Sequence, residues 1–290
     1  MVRHLIVTCG TSQIEEKRIQ KAMEAALAGK SGKDLSTERK TWEKWQNHRK
    51  KLLEATEGID NNAFLQITGK ISAAGGQLTE DGQYCEILLS GLIKKWSEMK
   101  TVVGTDNNPF GAEISTLYKM EKKSLFTPAK DSVVLLYSDT LSGAFCAGVL
   151  YRLLTKVYKM PPANLTLPAR IPELREKPRN VVDAEDNTRI ALLEARKEDA
   201  ENMFVMTGGF KSSIPILTVI ALLKGDPIYY LFERSDTLRQ VDPQATVQSA
   251  NRWWQFLVPQ RKEQNDETSV TLTVKTGKGI APSTLKPPTP

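Results

Sequence analysis

Four short apolar runs punctuate the chain: His4-Leu-Ile-Val-Thr-Cys9, Ser132-Val-Val-Leu-Leu-Tyr137, Met203-Phe-Val-Met206 and Asp226-Pro-Ile-Tyr-Tyr-Leu-Phe232. None alternates strictly between polar and apolar residues, as a strand with one wet face would. Each therefore reads as a strand buried on both faces, the state of strands in a parallel sheet covered by helices. The first three end in turns rich in glycine and hydroxyl residues, and helical patterns follow at Ala144–Lys156 and Ile214–Leu223.

The stretches between the strands support this. From Gln13 to Glu57 the sequence is charged and helix-rich, with a break near residues 30–33. Trp42, Trp45, Leu52 and Leu53 give its second helix an apolar side, as in a helical hairpin packed on a body. Residues 79–99 form another helical pattern, with Cys85, Leu88, Leu92 and Trp96 among its buried positions. Pro109 to Lys119 reads as a turn feeding a helix. Prolines punctuate residues 161–178 around a short extended piece, Asn164–Leu167, and a charged helix is expected over 183–201. Strands alternating with helices predict an α/β fold. The expected architecture is a doubly wound, mostly parallel Rossmann-like sheet, with a helical insertion (14–80) after the first strand. Residues 1–240 make up this domain. Residues 241–290 form a short C-terminal extension: a helix at Trp253-Trp254, a strand-like run at Ser269–Val274 and a flexible Pro-rich tail from Gly277.

Composition narrows the function classes. Charged residues make up 26% of the 290, and the net charge of +6 is dispersed, which fits a solvated, mildly basic surface or an anionic partner. The longest apolar stretch, around Ile214–Leu223, is about half of what a membrane span needs, so no membrane association is expected. The run at His4 reads as a strand rather than a signal-peptide core. The three cysteines (Cys9, Cys85, Cys146) have neither disulfide nor zinc spacing, so a cytoplasmic location is expected. With only His4 and His48, a histidine metal site or a Ser-His-Asp triad is disfavoured, and no metal or cofactor is expected.

Two loops at expected strand ends carry candidate chemistry: Gly10-Thr11-Ser12-Gln13 and Thr207-Gly208-Gly209-Phe210-Lys211-Ser212. Open α/β sheets bind ligands outside such ends. Glycine admits close backbone approach, hydroxyls and amides contact phosphate oxygens, and Lys211 adds a full charge. Taken singly, each loop also reads as an ordinary strand-to-helix turn. Ser138-Asp139-Thr140 has the same two readings, ligand contact or helix cap. Glu113 and Ser115 either face the cleft or serve their own helix.

Taken in order, these segments resemble one family. Gly10-Thr11-Ser12 comes first, then Gly111-Ala-Glu113-Ile-Ser115 and Leu136-Tyr-Ser138-Asp139-Thr140-Leu-Ser-Gly143. Thr207-Gly-Gly-Phe-Lys211 with Ile214-Pro215, and Pro227–Glu233, complete the set. Together they resemble the CARF (CRISPR-associated Rossmann fold) domain, in the branch of stand-alone ring nucleases, over residues 2–240 apart from the longer helical region 14–80. The resemblance implies a homodimer whose two-fold axis runs through a cleft for cyclic oligoadenylate, most naturally cyclic tetra-adenylate. It further implies metal-independent ring opening to products with a 2′,3′-cyclic phosphate. Lys211 and Ser12 would be the catalytic residues. Gly10, Thr11, Gln13, Glu113, Ser138, Asp139, Thr140, Thr207, Gly208, Gly209, Phe210 and Ser212 would bind the ligand. Gln13-Ile14 follows Gly-Thr-Ser where relatives carry aliphatic residues. No Arg-x(4–6)-His ribonuclease motif occurs, and the stretch after residue 240 is too short for an appended nuclease. That favours a signal-degrading enzyme. A non-catalytic receptor acting through a partner protein or DNA is the alternative, and an unrelated nucleotide-binding α/β protein is a third.

Overall fold

The computed structural model describes residues 2–11, 14–55, 59, 63–67, 79–99, 111–206, 213–231, 237–249, 271–276 and 279–284, without the side chains of 17–18, 94–99, 271–276 and 279–284. β1 (Arg3–Cys9) is followed by five helices: α1 (Glu16–Leu27), α2 (Gly32–Glu54), α3 (Ala63–Ile67), α4 (Glu80–Met99) and α5 (Gly111–Lys122). Next come β2 (Ser132–Ser138), α6 (Leu141–Lys156), β3 (Ala169–Ile171), α7 (Val181–Glu194), β4 (Glu201–Val205) and α8 (Ser213–Lys224). β5 (Ile228–Leu231) and β6 (Leu238–Val241) complete the sheet, residues 243–249 are helical, and β7 (Thr271–Thr276) with β8 (Gly279–Thr284) forms a separate antiparallel pair.

The six strands stand in the order β3-β2-β1-β4-β5-β6. The first five run parallel and β6 runs antiparallel on the edge. β1 is central: His4 to Cys9 register with Ser132 to Tyr137 of β2, and Arg3 to Val7 with Glu201 to Val205 of β4. Strand alternation divides the core in two. Leu5, Val7 and Cys9 join Val133, Leu135 and Met203 in a layer with Ile19, Trp45, Leu88, Ile114 and Phe145 from α1, α2, α4, α5 and α6. Ile6 joins Val134, Leu136 and Phe204 against Leu192 of α7 and Leu217 of α8. Helices on both faces make the sheet doubly wound, as expected.

Several boundaries differ from expectation. The third strand is Ala169–Ile171. The expected extended piece, Asn164–Leu167, supplies only a 3-10 turn at Pro162–Asn164 and one bridge from Leu165 to Val133. α6 starts three residues before Ala144 because Thr140 caps it, and α7 ends at Glu194, well before 201. The tail expected to be flexible from Gly277 contains β8, paired with β7 from Gly279 to Thr284. Pro282, which has no N–H to give, stands in this two-stranded ribbon, where every strand is an edge. The Trp253-Trp254 helix lies outside the described residues.

His4 locks the amino end of the sheet. Its Nε2 lies 2.7 Å from the Ala195 carbonyl, which can only accept, so Nε2 carries the hydrogen. Nδ1 then accepts from the Ser132 hydroxyl at 2.7 Å, and that oxygen accepts from Lys197 Nζ at 3.2 Å. Burial is the main force lowering the His4 pKa from 6.5 to about 4, with Lys197 adding to it and the Ala195 bond and Asp199 opposing. Between those values the unfolded chain takes up a proton that the folded chain refuses. Stability should therefore fall as pH drops from 6.5 to 4, by roughly 2–3 kcal/mol from this group. Urea unfolding at pH 7 and pH 4.5 checks this, and His4→Gln should flatten the difference.

Candidate functional site at the carboxyl edge of the sheet

The strand order reverses direction at β1. The chain leaves it toward β2 on one side and later returns as β4 on the other, the arrangement that opens a crevice at the carboxyl ends of the two strands. Val7 registers with Val205, so Gly10 and the segment after Met206 leave adjacent strands at the same edge. Ser12, Gln13, Thr207, Gly208, Gly209, Phe210, Lys211 and Ser212 lie outside the described residues. Their flanks do not. Met206 donates its N–H to the Tyr229 carbonyl at 2.9 Å, and Ser213 is buried at the start of α8. Thr8, Cys9, Ser138, Ile171, Leu174 and Ser213 line one small pocket, which joins the ends of β1, β2 and β3 to the start of α8.

Of the remaining candidates, Gly10 and Glu113 meet directly. The Gly10 N–H donates to Glu113 Oε1 at 2.8 Å, and Glu113 is only 1% exposed. The carboxylate of α5 thus fixes the first peptide beyond β1, and Thr11 stands exposed beside it. Ser115 donates to the Gly111 carbonyl at 2.6 Å, within its own helix.

Ser138, Asp139 and Thr140 are buried at the end of β2. Thr140 caps α6, its hydroxyl accepting from the Gly143 N–H at 3.0 Å, and it lies 2.9 Å from Ser138 Oγ and 3.2 Å from Ser142 Oγ. A Cβ on Gly143 would stand 2.3 Å from Ser138 Oγ, so only glycine admits this close cap. Asp139 holds three segments together. Its N–H donates to the Leu174 carbonyl at 2.9 Å. Oδ1 accepts from Ile59 N at 3.2 Å and Arg170 Nη1 at 3.2 Å, and Oδ2 accepts from Glu173 N at 3.1 Å. Arg170 also donates to the Ile59 carbonyl. The helical insertion is tied in this way to the turn after β3.

That turn was not singled out from the sequence. Arg170, Glu173, Arg175 and Arg179 gather there, and the only sequence signal was the alternation of arginine and glutamate among prolines. Burial drives the Cys9 thiol well above its usual range, helped by Glu113 and Cys146, so it stays protonated and is a poor nucleophile. The two histidines are placed differently. His4 is at the opposite end of β1, and His48 of α2 stacks on Tyr84 of α4 with ring centroids 4.2 Å apart.

Residues 108–240 match the family model described as "CRISPR-associated protein (Cas_APE2256)". No curated protein matches the chain. The matched segment includes β2 to β5, all but the last residue of β6, the Ser138–Thr140 corner, the Arg175 turn and Lys211, while β1 and the Gly10 turn precede it. This CRISPR-associated match supports a role in CRISPR systems. Among the described residues no helix is long and apolar enough to cross a membrane.

Proposed function

We propose that the chain is a CARF-type ring nuclease that opens cyclic oligoadenylate, with cyclic tetra-adenylate the favoured ligand. One observation carries the reading: β1 and β4 are parallel neighbours at the reversal of strand order, so the Gly-Thr-Ser turn and the Thr-Gly-Gly-Phe-Lys segment leave the sheet at one edge. The CRISPR-associated match over residues 108–240 supports the same reading. In a homodimer with its two-fold axis through the cleft, each protomer would serve one half of a four-adenylate ring.

In the reaction, an adenosine 2′-oxygen attacks the adjacent phosphorus and the bond to the 5′-oxygen breaks. The 2′-hydroxyl proton passes to solvent and the departing 5′-oxygen takes one up, leaving a 2′,3′-cyclic phosphate. Lys211 and the N–H groups of Gly208 and Gly209 stabilise charge on the non-bridging oxygens. Ser12 orients the 2′-hydroxyl or contacts the phosphate. His4 lies at the opposite end of β1, and the reading assigns no imidazole base: the rate comes from in-line positioning and charge.

Purified protein incubated with cyclic tetra-adenylate in EDTA should yield linear products ending in a 2′,3′-cyclic phosphate, resolved by mass spectrometry. Tight binding without turnover would replace the enzyme with a receptor. Absence of binding to rings of four or six adenylates would reject both.

A further inference from the structure

We propose that Arg175 is a phosphate-binding residue of the same cleft, donating through Nε to a phosphodiester oxygen of the ring; this rests on reading the carboxyl edge as an oligoadenylate site. Arg175 is 8% exposed. Its Nη2 donates to both carboxylate oxygens of Glu173, at 2.9 and 2.8 Å, yet among the described residues its buried Nε has no hydrogen-bond partner. A guanidinium stays charged at any relevant pH, so a buried N–H left without an acceptor bears an unrelieved desolvation penalty. Such a donor calls for an anion that arrives from outside the fold.

Its position indicates which anion. The neighbouring residue, Leu174, lines the pocket shared with Thr8, Cys9, Ser138 and Ser213, and Ser213 directly follows the Lys211-Ser212 segment. Arg175 therefore belongs to the edge where sheets of this order take their ligands.

The turn is also built to hold it. Glu173 adopts φ 61°, a left-handed conformation that a side-chain-bearing residue seldom takes without compensation. Asp139 compensates by accepting the Glu173 N–H, and Glu173 Oε2 accepts the Arg179 N–H at 2.7 Å. The carboxylates of Asp139 and Glu173 are thus engaged by donors of the turn itself, which lowers their repulsion toward an incoming phosphate. A guanidinium edge matches the oxygens of a phosphodiester better than a point charge does.

The test measures binding of a cyclic tetra-deoxyadenylate, which lacks the attacking 2′-hydroxyl and stays intact, together with thermal unfolding of each variant. Arg175→Gln is expected to weaken binding roughly tenfold to hundredfold. Arg175→Lys keeps the charge but loses the Nε donor, and should fall between Arg175→Gln and the wild type. Glu173→Gln removes the competing carboxylate and should bind at least as tightly as the wild type. Wild-type affinity in Arg175→Lys and Arg175→Gln overturns the proposal and leaves the ring reading standing. Equal weakening in Arg175→Gln and Glu173→Gln also overturns it, since that marks a pair with only a structural role. If the wild-type protein binds neither this ring nor cyclic tetra-adenylate, the ring reading itself fails, and the proposal with it.

Discussion

Replacing Lys211 with alanine should lower the rate of ring opening by roughly a hundredfold to a thousandfold, the loss that follows removal of one preorganised donor facing a developing oxyanion. The substitution takes away a full positive charge and leaves the N–H groups of Gly208 and Gly209, so residual turnover above the uncatalysed rate is expected. Binding should weaken as well, because in the proposed mechanism the lysine would meet the phosphate before and after charge builds on it. Ser12→Ala should behave differently, with turnover slowed and affinity largely kept. Single-turnover kinetics at saturating cyclic tetra-adenylate, alongside separate binding titrations, distinguish the two patterns. Wild-type rates in both variants would place the chemistry on other residues.

The second large effect concerns the fold. Trp45→Ala is expected to cost about 3–5 kcal/mol, a large share of the roughly 5–15 kcal/mol that native proteins commonly possess. The Trp45 ring is fully buried, 6.1 Å edge-on from Phe145 of α6 and 6.3 Å edge-on from Tyr84 of α4, with Trp42 stacked at 6.4 Å. Its Nε1 donates to the Tyr84 carbonyl at 3.1 Å, so truncation removes this hydrogen bond together with the packing. Chemical denaturation reads the loss directly. Trp45→Phe, which keeps much of the packing but not the donor, should cost less. A loss under 1 kcal/mol for the alanine variant would mean that α2 is peripheral to the body rather than part of its core.

The central strands were legible because burial on both faces leaves a run without polar alternation, as in Leu5-Ile6-Val7 and Val133-Val134-Leu135-Leu136. Trp42, Trp45 and Leu52 likewise announced the inner face of α2 by their spacing. β3 was not legible. It is three residues long, and Ala169 and Arg170 are not buried, so Ile171 alone marks it as apolar. Pairing with Leu136 to Ser138, and the ion pair of Arg170 with Asp139, set its place instead. The apolar Asn164–Leu167 piece attracted the assignment because a propensity signal carries no information about sheet register.

Glycine and hydroxyl turns after strands were what placed the candidate site at the carboxyl edge of the sheet. What they did not reveal was how Ser138, Asp139 and Thr140 spend their polar atoms. The loop-pinning bonds of Asp139 depend on segments about 30 to 80 residues away, at Arg170, Glu173 and Ile59, and a linear motif does not contain them. The tie between Gly10 and Glu113 spans a similar gap. Arg175 escaped notice for the same reason, since its burial is a property of the assembled turn.

The central position of β1 has a consequence for biosynthesis. About 190 residues separate Cys9 from Glu201, where the second neighbour of β1 begins. At translation rates of about 5–20 residues per second, this central strand waits roughly 10–40 s for that partner. Throughout that interval a nascent chain carries a strand with an open hydrogen-bonding side. The helices emerging directly behind it cover one apolar face of this strand while its edge waits, since Ile19, Trp45 and Leu88 pack in the same layer as Leu5 and Val7. The long helical region is thus positioned to act as a built-in chaperone for the strand that precedes it.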